Sequence, residues 1–175
     1  HTSGFLDQPL DVCLDDEGRL AVSDFGNARV QIFDAKTGET LRIIKQLTWY
    51  DSRGDEVLEA DPSGFISEIG LPVGVSFSPS GFLYITDVWF HRVIVLDEAW
   101  DPIQKFGSGA GYDDVESYTE PFRALRKRRN KLGERKFAPM GGSDTMQLNQ
   151  PSSIAITQGR VVLVDKGNRR VQVFV

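Results

Sequence analysis

Three aspartates each stand five residues before an arginine and close an apolar run: Asp24 with Arg29, Asp87 with Arg92, and Asp165 with Arg170. Carboxylates repeated at equivalent places could converge on one site, to hold a cation or to move protons in acid-base catalysis. A second chemistry needs nothing beyond the chain itself. A carboxylate and a guanidinium at the two mouths of one short loop form a charge-assisted pair that pins the register of a hairpin. Each carboxylate has its own arginine at hand, so structural pairing is the favoured reading and no catalytic residue is expected.

The other ingredients of a reactive site are scarce. His1 and His91 are the two histidines and Cys13 the one cysteine, so there is no cluster with metal-ligand spacing. Asp11, Asp15, Asp16 and Glu17 do not alternate as a calcium loop requires. No serine sits in a Gly-x-Ser-x-Gly turn. Gly107-Ser108-Gly109-Ala110-Gly111 follows a strand pattern but lacks a phosphate-loop lysine, which leaves it a connector. Neither a metal nor a cofactor is expected. Cys13 lies within an apolar strand as a buried, reduced thiol. A lone cysteine fits a reducing intracellular compartment such as the cytoplasm.

The elements that must position the Asp-Arg pairs repeat with them. Pro9, Pro72 and Pro151 precede their aspartates by fifteen, fifteen and fourteen residues. Between each proline and its aspartate lie a strand, a turn (Asp15-Asp16-Glu17-Gly18, Ser78-Pro79-Ser80-Gly81, Thr157-Gln158-Gly159) and a second strand. After the loop, Val30-Gln31-Ile32-Phe33, Val93-Ile94-Val95-Leu96 and Val171-Gln172-Val173-Phe174 supply the third. In the first copy the strands are expected over Leu10 to Leu14, Leu20 to Ser23, Arg29 to Phe33 and Leu41 to Lys45. Asp34 and Asp97 serve as turn formers. Repeats of meandering strands at this spacing signal the blades of a β-propeller.

Pro, apolar strand, Gly turn, strand, Asp, Gly-Asn and Arg-Val together resemble the NHL repeat, named for its Asn-His-Leu loop and found in β-propellers. The first and third copies match the pattern well. The second departs from it, with Trp89 and Phe90 in place of the usual Gly and Asn. The resemblance implies an all-β chain of three propeller blades at about 5–46, 66–107 and 147–175, forming one domain over 1–175 with two long insertions, 47–65 and 108–146. Blade three stops after its third strand, so the propeller is expected to be open or incomplete. Further blades or self-association should complete it. Some propellers of this kind bind RNA with a basic face, and amidating lyases use similar ones, but the metal-binding histidines of the lyases have no match here.

A chain of 175 residues, 40% hydrophobic and 26% charged, is long enough for one domain with a real core. No apolar run reaches membrane-spanning length and no signal-peptide pattern opens the chain. The net charge of -5 argues against general nucleic-acid affinity, yet its distribution is uneven. Asp113, Asp114, Glu116 and Glu120 give way to Arg123, Arg126, Lys127, Arg128, Arg129, Lys131, Arg135 and Lys136 within the second insertion. Part of that run, Phe122 to Leu132, is expected to form a short helix. Trp49 and Tyr50 of the first insertion, the basic run, and Trp89 and Phe90 are expected on the rim that displays the Asp-Arg loops. The leading reading is a non-enzymatic scaffold that binds other protein chains in a larger assembly. Its rivals are RNA or an acidic protein surface bound by residues 121–136, and, less favoured, a propeller hydrolase or lyase.

Overall fold

A computed structural model describes residues 4–48, 69–107, 147–157 and 159–174. Among the described residues eleven strands make three antiparallel sheets, each a meander of neighbours in sequence. The first holds β1 (Pro9–Leu14), β2 (Arg19–Asp24), β3 (Arg29–Asp34) and β4 (Thr40–Ile44). The second holds β5 (Pro72–Phe77), β6 (Leu83–Asp87), β7 (Arg92–Leu96) and β8 (Pro102–Phe106). The third holds β9 (Pro151–Thr157), β10 (Arg160–Asp165) and β11 (Arg170–Phe174). All three are the blades expected from the sequence, and the third has three strands among the described residues. Trp49, Tyr50, the basic run and the helix expected over Phe122 to Leu132 lie outside the described residues.

Local chemistry sets the turns. Asp34 Oδ1 accepts from the backbone N–H groups of Lys36 and Thr37 at 2.9 and 2.7 Å, and Asp97 Oδ1 from Ala99 and Asp101 at 2.9 Å each. These carboxylates stand in for backbone acceptors and close the third-to-fourth strand turns.

Alternation along the strands gives each blade two apolar faces, and the blades stack through them. Val30, Ile32, Ala21 and Ile44 of blade one meet Val75, Leu83, Ile85, Ile94 and Leu96 of blade two in one buried cluster. Val93 of blade two meets Leu148, Ile154 and Leu163 of blade three in another. Each fully buried Leu, Ile or Val contributes about 1.5–3 kcal/mol relative to exposure, so these interfaces rather than strand pairing fix how the blades sit. Cys13 packs at the edge of the first cluster, and burial pushes its thiol up to about 12.

Polar clips reinforce the stack. Ser23 Oγ donates to Val73 O of the next blade at 2.8 Å, and Thr86 Oγ1 to Ser152 O at 2.6 Å. Val75 N–H also reaches back to Asp11 Oδ2 at 2.9 Å. At Gly74 the neighbouring strand comes so close that a Cβ would lie 2.2 Å from Ser152 O, so only glycine fits.

Candidate functional site

The three Asp-Arg loops are tighter than a simple four-residue hairpin loop. In blades one and three the aspartate leads into a short 3-10 turn, Phe25–Asn27 and Lys166–Asn168. A residue in the left-handed region follows: Ala28 at φ 52°, Arg169 at φ 53° and, in blade two, His91 at φ 52°. No glycine marks that position in any copy, so turn chemistry in the sequence does not announce it.

Each aspartate is the hub of a closed network. Asp24 and Asp165, both fully buried, accept from arginine Nε at 2.6 and 2.8 Å. Asn27 and Asn168 Nδ2 each come within 2.9 Å of their aspartate. Gln31 and Gln172 Nε2 add donors at 3.1 and 3.0 Å. From upstream of the first strand, Asp7 and Asn149 each donate a backbone N–H at 2.7 Å. Arg29 and Arg170 extend the network to the carbonyls of Phe5 and Gln147, at 2.6 and 2.7 Å. Burial alone would raise the Asp24 and Asp165 carboxyls, but the donors around them outweigh it and hold both below the usual carboxylate range. Asn27, Gln31 and their counterparts in blade three escape sequence reading because their roles depend on an aspartate three or seven residues earlier.

Blade two reaches the same end by different means. Phe90 replaces the asparagine and Ile94 the glutamine, so two side-chain donors are missing. Four backbone N–H groups take over at Asp87: Gly70 at 2.9 Å, Leu71 at 3.0 Å, Trp89 at 3.1 Å and Phe90 at 3.4 Å. Arg92 Nε lies 3.3 Å away, and its guanidinium sits 4.6 Å from the Phe90 ring centroid. Phe90 is 7% exposed, which removes its ring from the surface available to a partner. Trp89 is half-buried against a small cluster of Phe25, Leu71 and Val88 that bridges the loops of blades one and two. The two aromatics therefore contribute differently: Phe90 shields the ion pair, and Trp89 keeps part of its indole on the rim.

A size exchange accompanies this substitution. Opposite Gly26 stands Asp7, and opposite Gly167 stands Asn149; a Cβ on either glycine would come within 2.6 Å of its neighbour's side chain. In blade two the order reverses: Trp89 takes the glycine position, and the facing residue is Gly70, whose added Cβ would meet Asp87 Oδ1 first and would lie 2.7 Å from Trp89 Cβ and 2.8 Å from Phe90 Cδ2. Gly70→Asn alone should cost about 1–3 kcal/mol by overpacking. Combined with Trp89→Gly it should recover the part of that loss owed to Trp89, a non-additivity readable by thermal unfolding of the three variants. Additive losses would show that the two positions do not share one space.

The blades are joined at this rim by His91. Its Nδ1 accepts the backbone N–H of Gln150 at 2.8 Å, across the junction of blades two and three. Burial lowers its pKa to about 4, against the raising effect of Asp87 and Asp165. The described ends of both insertions leave from the same rim, since β4 pairs Ile44 with Val30 and β8 pairs Phe106 with Val93, each beside a loop arginine.

On the opposite rim a cleft of about 370 Å³ is lined by Asp15, Glu17, Arg19, Phe77, Ser78 and Glu98, among others. Arg19 crosses it, bound to Asp15 at 2.5 Å and set 5.1 Å from the Trp100 ring centroid. No group of three or more His, Cys, Asp or Glu side chains among the described residues could hold a metal ion.

Comparison with known proteins matches the family model of the NHL repeat at residues 6–33 and 148–174. Curated protein sequences give no match. Among solved structures, hydrazine synthase from Kuenenia stuttgartiensis aligns at 14% identity and a TM-score of 0.49, over 98% of this chain and 36% of that one. The Cps50 (Swd1) β-propeller domain of Myceliophteria thermophila aligns at 13% and 0.43, over 95% and 38%. Virginiamycin B lyase from Staphylococcus aureus aligns at 10% and 0.42, over 95% and 55%. The chain thus spans roughly a third to a half of the structures it resembles. Blade two, where Phe90 and Ile94 break the donor pattern, falls outside the matched residues although its sheet has the same topology. With the repeat matched in its first and last blades and the same Asp-centred loop in all three meandering sheets, the chain carries two NHL repeats within propeller-type blades.

Proposed function

We propose that this chain is a non-enzymatic binding module that joins other protein chains through the rim bearing the Asp-Arg loops. One observation carries the reading: both insertions leave from that rim, beside loops whose carboxylates are buried and already engaged by internal donors. A carboxylate so held fixes geometry and has no proton to trade with a substrate. Trp89 supplies a partly exposed indole of the kind that anchors interfaces. Trp49, Tyr50 and the cations Arg123, Arg126, Lys127, Arg128 and Arg129 belong to the insertions and complete the proposed face, the charges setting orientation and association rate.

The test uses Trp89→Ala and a variant with Arg126, Lys127, Arg128 and Arg129 neutralised, each checked for an intact fold. Loss of bound proteins in native extract supports the reading, while recovery of the same partners by both folded variants overturns it. The basic run also favours RNA as a second reading. Phosphate contacts make affinity fall steeply with salt, whereas an aromatic-anchored protein interface responds far less, so a salt titration separates the two.

A further inference from the structure

We draw no further inference here: the strongest candidate, the cleft on the rim opposite the Asp-Arg loops where Asp15, Asp16, Glu17 and Glu98 line the same space as Arg19, is a cluster of carboxylates whose least exposed member, Asp15, is already paired with that arginine, and no second feature among the described residues points to a ligand there.

Discussion

Replacing Asp24 by alanine is expected to lower the unfolding free energy by about 3–5 kcal/mol, the range for removing one partner of a buried ion pair. The magnitude follows from what is left behind. Arg29 Nε, Asn27 Nδ2, Gln31 Nε2 and the Asp7 N–H all lose an acceptor, and the guanidinium keeps its charge in a site where it is 4% exposed. An exposed pair would give only about 0.2–1 kcal/mol. Arg92→Ala should fall between these limits, at about 1–3 kcal/mol, because Asp87 retains its four backbone donors. Urea unfolding at an unchanged m-value checks both. An Asp24→Ala loss below about 1 kcal/mol would place the register elsewhere, and a greater loss for Arg92→Ala than for Asp24→Ala would reverse the ranking of side-chain and backbone donors.

Acid should loosen the junction of blades two and three before it reaches the carboxylates. His91 titrates near 6.5 when unfolded but at about 4 when folded, because burial disfavours the imidazolium. Between those values the unfolded chain binds the proton and the folded chain does not. Its contribution is complete above about pH 6.5 and is lost progressively as pH falls to about 4, amounting to about 3 kcal/mol at most. Protonation also removes the acceptor of the Gln150 N–H. The Asp24 and Asp165 carboxyls are also depressed on folding, but by donors that favour the charged form and against burial, and their contributions are lost as pH falls from the ordinary carboxylate value downward. His91→Asn tests the assignment, since asparagine tolerates a left-handed backbone and its Oδ1 can accept the same N–H. The variant should flatten stability against pH between 6.5 and 4; an unchanged slope would assign the proton uptake to another group.

The architecture was legible because its signals are local. The Pro-to-Asp interval, the turn residues and the alternating third strands recur at fixed spacing, and β1 to β3 lie within one residue of where those signals put them. Asp24, Arg29 and their counterparts stood out because opposite charges recur five residues apart. The remainder of each hub depends on residues whose meaning is set across the fold. The Asp7 N–H approaches Asp24 from seventeen residues upstream, and Ser23 acts on Val73 fifty residues away. Trp89 and Phe90 were legible as unusual but not as dissimilar. The facing Gly70 makes room for the first, and the Arg92 guanidinium lies over the ring of the second.

Blade two is packed on both faces, and every residue of β7 is buried. Its neighbours are each covered on one face by it. Amide hydrogen exchange should therefore be slowest along β6 and β7 and faster along β1 and β11, because a terminal blade can open while surrendering one interface and the middle blade must surrender two. Among the described blades the middle one opens last in a stack of this kind. Its folding would begin where local hairpins first find a partner on either side, and then spread outward one blade at a time.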